Sequence, residues 1–184
     1  MKKKVIISII AFSLIIGGTV LTNAKPKSNL AKMWGNVLSK DYEKKESKKN
    51  NEYRISLYGK ISEKTEEIND IAEEGKDILI ATDEIDKAEE FYKINGNDEE
   101  VAKEKAKSYV EGQNALYIEA IKKGYDVTDK ELDQYIAELK ETVSTAENRE
   151  VAQDIIDSFD SEEDYWKYER ELYKKLLPIQ KYVK

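Results

Sequence analysis

Through the last hundred positions, apolar residues return with the period of an α-helix. Val101, Ala102, Ala106, Tyr109, Val110, Leu116, Tyr117, Ala120 and Ile121 share one face, which predicts a long helix over 97–123. Asn97 is placed to cap it, with Glu100 three residues on as in a capping box. Lys122 and Lys123 suit the negative end of its dipole, and Gly124 closes it. Gly112 interrupts this helix at a cost of about 1 kcal/mol relative to alanine, so a close helix crossing is expected there. Thr128-Asp129-Lys130-Glu131 is a second capping box and opens a helix over 128–147 with Leu132, Tyr135, Ile136, Leu139 and Val143 inward. A short helix follows on Val151, Ala152, Ile155, Ile156 and Phe159. Ser161-Glu162-Glu163-Asp164 begins the last helix, whose apolar face is Tyr165, Trp166, Leu172, Tyr173, Leu176 and Leu177. Pro178 is expected to kink or end it. The helices at 97–123, 128–147 and 161–177 should pack on one another.

The pattern upstream is less regular. Leu30, Met33, Trp34, Val37 and Leu38 mark one helix face after a short tether, Lys25 to Asn29. Glu43 to Asn51 has no apolar residue and reads as a frayed helix end or a linker. Tyr53, Ile55 and Leu57 alternate as in a short strand. Ile61, Ile68, Ile71 and Ala72 suit a helix closed by Gly75. Asp77 to Ala81 is a brief apolar run, strand or extended. Thr82 is a good N-cap for a helix carrying Ile85, Ala88, Phe91 and Tyr92, ended by Asn95-Gly96. The sum is one all-α domain, a small strand pair being its only β content.

The first residues change the picture from a soluble bundle to an exported one. Met1-Lys2-Lys3-Lys4 precedes a run from Val5 to Ala24 without a charge, the layout of a secretory signal. Thr22-Asn23-Ala24 offers small side chains where a signal peptidase reads, so cleavage after Ala24 is expected. Val5 to Thr22 spans 18 residues, inside the range of roughly 17 to 25 that can cross a bilayer, so an uncleaved anchor through residues 5–22 fits as well. Either way the three lysines stay on the cytoplasmic side. The rest of the chain is expected at the outer face of the membrane, or secreted if cleaved.

Charge and composition then exclude several chemistries. Without the three leader lysines the formal charge goes from −7 to −10 over 160 residues, one domain of ordinary size. An acidic chain with no basic stripe is not expected to bind nucleic acid. There is no Cys, hence no disulfide, thiolate metal site, Cys nucleophile or lipid attachment through Cys. There is no His, the commonest general base and metal ligand. No Gly-rich phosphate loop and no calcium-loop pattern occur. Acidic runs such as Glu73-Glu74, Glu89-Glu90 and Glu162-Glu163-Asp164 read as solvated faces or helix starts. No catalytic, cofactor-binding or metal residue is therefore expected, and the chain is not expected to be an enzyme.

A set of segments in order carries a resemblance. Thr82-Asp83-Glu84-Ile85 opens a helix ending Glu90-Phe91-Tyr92. Ala115-Leu116-Tyr117-Ile118-Glu119-Ala120 leads to Lys123-Gly124-Tyr125-Asp126-Val127-Thr128-Asp129-Lys130-Glu131-Leu132. Ser161-Glu162-Glu163-Asp164-Tyr165-Trp166 and Tyr173-Lys174-Lys175-Leu176-Leu177-Pro178-Ile179 follow. Together, Ile80 to Val183 resembles the N-terminal chaperone domain of SurA/PrsA-type foldases, in the small helical versions exported by Gram-positive bacteria. The chain departs from that pattern at Ile78 to Thr82, which lacks the usual Asn-Gly turn. It also lacks a parvulin-type isomerase domain, whose active site uses His. The resemblance divides the chain into a leader or anchor (1–24), a helical extension and linker (25–76) and a SurA-N-like domain (77–184). It implies binding of unfolded or extended polypeptide without isomerase activity.

The aromatic supply is compatible with that. The chain holds 12 Tyr and 2 Trp against 3 Phe, and amphipathic rings suit adaptable binding surfaces. The candidate peptide-binding residues are Tyr117, Tyr135, Tyr165, Trp166 and Tyr173. The competing reading is that these rings, at helical spacing, fill the core. A different class of function, an anchored structural protein docking to one envelope partner, suits the Glu/Lys-rich helices equally well.

Overall fold

The computed structural model of the protein describes residues 28–49, 71–74, 79–146 and 149–184. Their order is α1 (Ser28–Lys49), β1 (Ile71–Glu74), β2 (Leu79–Ala81), α2 (Thr82–Ile94), α3 (Glu99–Lys122), α4 (Asp129–Ser144), α5 (Arg149–Ile156) and α6 (Glu162–Val183). The architecture is all-α, with one small antiparallel strand pair. The leader, the cleavage position Ala24 and the strand expected at Tyr53 to Leu57 lie outside the described residues. Among the described residues no helix is long and apolar enough to cross a membrane.

Local chemistry sets most helix ends. Thr128 accepts the Glu131 amide on its hydroxyl, and the Glu131 carboxylate takes the Thr128 amide in return, so the capping box at α4 is complete. Ser161 accepts the Asp164 amide at the start of α6. Gly96 and Gly124 take positive φ after α2 and α3, where a side chain would be strained. Three expectations are corrected. The cap of α3 is Asp98 and not Asn97: Asp98 accepts the Val101 amide, while the Asn97 side-chain amide donates to the Tyr92 carbonyl and its oxygen accepts from Lys105. Ile71 and Ala72 belong to a strand and not to a helix, because Ile71 pairs with Ala81 and Glu74 with Leu79 across an antiparallel ladder. Of the two outcomes expected at Pro178, the helix does not end there: α6 runs on to Val183. Helix α1 already starts at Ser28, inside the tether expected over Lys25 to Asn29; its helical end at Glu43 to Lys49 agrees with the helix-end reading of that run.

Helix α6 is the axis of the molecule. It packs against α3 and α4, while α2 lies along α3 and α1 rests on α5 and α2. The contacts between α6 and its two long neighbours are those the apolar faces anticipate. Trp34 of α1, 1% exposed, meets Phe91 of α2 edge to face at 5.0 Å, so α1 belongs to the same core as the helices after residue 82. Polar ties cross the bundle too. Tyr42 of α1 donates to Asp164 of α6 at 3.0 Å, and Lys175 of α6 reaches Glu84 of α2 at 3.0 Å.

Two glycines show where the helices press together and where they do not. A Cβ on Gly35 of α1 would strike the Ser158 hydroxyl, with Ser158 Cβ at 2.8 Å and the Ile155 backbone at 3.0 Å. At Gly112, where a close crossing was expected, an added Cβ meets nothing within 4 Å, so that expectation is corrected. The two Gly→Ala changes should therefore act in opposite directions. G35A is expected to destabilise by about 1–3 kcal/mol through overpacking. G112A is expected to stabilise by up to about 1 kcal/mol through helix propensity. Paired urea melts check both signs.

Candidate functional site

Helix α6 carries three of the five aromatic candidates, and its periodicity turns them inward. Tyr173 is 0% exposed and Trp166 5%, and Tyr165 is also buried. Tyr165 packs edge to face on Trp166 at 4.9 Å and on Phe159 at 5.4 Å. Tyr173 tilts against Tyr135 of α4 at 4.8 Å, and the half-buried Tyr135 donates to Gln180 at 3.2 Å. Tyr117 stands half-buried on α3. The structure thus brings Tyr165 with Trp166, and Tyr135 with Tyr173, but does not gather all five on one concave surface.

Of the three on α6, Trp166 reaches the surface at one edge. It forms part of an open groove of about 300 Å³ between α4 and α6, with Ile136 and Ala137 beside it. The rims are charged: Asp133 and Lys140 on α4, Glu163, Lys167 and Arg170 on α6. Trp166 is fixed by its indole N–H, which donates to Glu162 at 2.9 Å, and by the Lys140 ammonium 5.3 Å from its ring centre. Arg170 clamps the two helices by bonding Asp133 at 2.7 Å and Asp129 at 2.8 Å. That guanidinium holds the Asp129 carboxyl below the usual carboxylate range. A second open groove of about 470 Å³ lies between α2 and α3, walled by Tyr92, Val101 and Tyr109 with Glu104, Lys105 and Ser108. Lys105 sits 5.8 Å from the Tyr92 ring centre. Burial raises the Tyr109 hydroxyl, so it remains a neutral donor.

Both grooves pair an aromatic wall with charges of both signs. Lys140, Ile136, Ala137 and Arg170 were not anticipated as lining residues. The signal was present: Arg170 lies one turn after Trp166, and the three α4 positions lie within one turn of each other. Among the described residues no group of three or more carboxylates is placed to hold a metal ion. No family model matches the chain, and no curated protein or solved structure does either.

Proposed function

We propose that the protein is an exported, membrane-associated helical domain that binds unfolded or extended polypeptide without isomerase activity, in the manner of a SurA-type N-terminal domain. The observation that carries this reading is the α4–α6 groove, where Trp166 and Ala137 offer an apolar floor between charged rims. An extended segment could seat one side chain there and leave its backbone to Asp133, Lys140 and Arg170. The leader, with its three lysines and its uncharged run from Val5 to Ala24, supports action outside the cytoplasm, held at the membrane or released. The segment order from Ile80 to Val183 supports the family likeness.

The chain from Lys25 onward should suppress aggregation of a reduced, unfolded client. Ala137 is exposed, so A137F fills the groove without disturbing the core and should weaken that suppression several-fold. No binding by the unmodified chain, measured by client light scattering and a peptide array, would sink the proposal.

A second reading has its own support. Tyr165 and Tyr173 are committed to the core, Trp166 shows only one edge, and the surface is densely charged, as suits an anchored structural protein docking to one envelope partner. Capture of one stoichiometric envelope protein, undiminished by A137F and by excess unfolded client, would favour it.

A further inference from the structure

The α4–α6 groove carries five charged side chains: Asp133 and Lys140 on α4, and Glu163, Lys167 and Arg170 on α6. Four of them are answered within the protein. Arg170 bonds Asp133 at 2.7 Å and also holds Asp129. Lys167 bonds Glu163 at 3.0 Å. Lys140 is the fifth. Its ammonium lies 5.3 Å from the Trp166 ring centre and meets no carboxylate among the described residues.

That isolation is written into α4. The helical neighbours that the Lys140 side chain can meet, three and four positions away, are Ile136, Ala137, Val143 and Ser144, none of them acidic. Glu138 and Glu141 stand two before and one after it and leave the helix on other sides. On α6, Glu163 is taken by Lys167, and Glu162 accepts the Trp166 indole N–H at 2.9 Å. The groove thus sets three cations against two carboxylates, in a chain whose formal charge is −7. A local excess of that sign admits an anionic partner and rejects a cationic one. Beside the ammonium lie the exposed Ala137 and the edge of Trp166, an apolar strip along the same groove.

Given the peptide-binding reading above, on which this rests, we infer that the groove selects segments with an apolar and an acidic residue two positions apart. The apolar side chain covers Ala137 and the edge of Trp166, and the carboxylate rests on the Lys140 ammonium. The spacing follows from geometry. Ala137 and Lys140 are three apart on a helix, which sets their Cβ atoms about 5–6 Å from each other. In an extended chain alternate side chains share a face about 6.6 Å apart, two rises of roughly 3.3 Å. A carboxylate by itself gains little there, because an exposed ion pair is weak. An apolar side chain laid beside the pair keeps water from one side of it and strengthens the attraction. Asp133 and Arg170 keep their mutual bond, so Lys140 supplies the selectivity.

Blocked peptides of the form Ser-Leu-Ser-Xaa-Ser, with Glu, Gln or Lys as Xaa, test this on the full chain held in neutral detergent. The readout is the NMR signal of the Trp166 indole N–H, with the buried Trp34 as internal reference. Affinity should fall in the order Glu, Gln, Lys, by about threefold at each step, as an exposed ion pair allows. The lead of the Glu peptide should shrink as salt is raised. K140M should level the Glu and Gln peptides, and K140E should reverse the order; Lys140 is exposed, so both variants keep the fold. Equal binding of the three peptides overturns the inference while peptide binding itself stands. A Trp166 signal that no peptide moves overturns both. An order unchanged in K140E, or equal binding of a Glu peptide with serine in place of leucine, also overturns it.

Discussion

Trp166→Ala is expected to lower the thermal midpoint by roughly 6–20 °C, the equivalent of about 3–5 kcal/mol in a domain of this size. The indole is 5% exposed, packs on Tyr165, and bonds Glu162 through its N–H. Truncation empties that space and leaves Ile136 and Tyr165 facing a void. The variant also separates two roles that the sequence leaves entangled. If Trp166 mainly supports the core, Trp166→Phe should recover most of the stability. If its exposed edge holds a ligand, the same Phe variant should bind client more weakly while melting near the unmodified protein. An unchanged midpoint in Trp166→Ala would contradict the packing described for α6.

Glu169→Gln should raise stability at pH 8 and leave it unaltered at pH 4. The unfolded carboxyl titrates near 4.5 and the folded one at about 7, because burial opposes its charge. Between those values the folded chain keeps a proton that the unfolded chain has lost, so stability falls as pH rises through that window. Below 4.5 both states are protonated and no difference remains. Above 7 the full loss has accrued, about 3 kcal/mol, which glutamine avoids. Melts at pH 4, 6 and 8 should show the gap open steadily. A gap of equal size at all three would point to a packing effect rather than a charge effect.

The parts of the fold that the sequence made legible are those governed by local rules. The capping box at Thr128, the Ser161 cap and the closing glycines at 96 and 124 depend on neighbours within four residues. So do the apolar faces that bring α6 onto α3 and α4. What escaped depends on distant partners. Ile71 and Ala72 form a strand because of residues 79–81, which outweigh a four-position helical pattern. Gly35 gave no signal because its meaning lies in Ser158, more than a hundred residues away. The candidate site was half legible. Trp166 does reach the α4–α6 groove, but its partners Lys140 and Arg170 read as ordinary surface charge until the two helices are brought together. Glu169 escaped for another reason. It sits one turn from both Tyr165 and Tyr173, on the buried face, yet a carboxylate in an otherwise acidic chain draws no notice.

Pro178 gives α6 a seam. Proline has no amide to donate, so the Lys174 carbonyl lacks its usual helical partner and the ladder of backbone bonds is interrupted there. The flanking residues Leu176 to Gln180 are all buried, and their packing keeps the two halves in line. Side chains also hold the last turn: Lys181 on Glu131 at 3.1 Å and Tyr182 against Tyr125 at 5.7 Å. Continuity of the helix across this point therefore rests on the buried packing of Leu176 to Gln180.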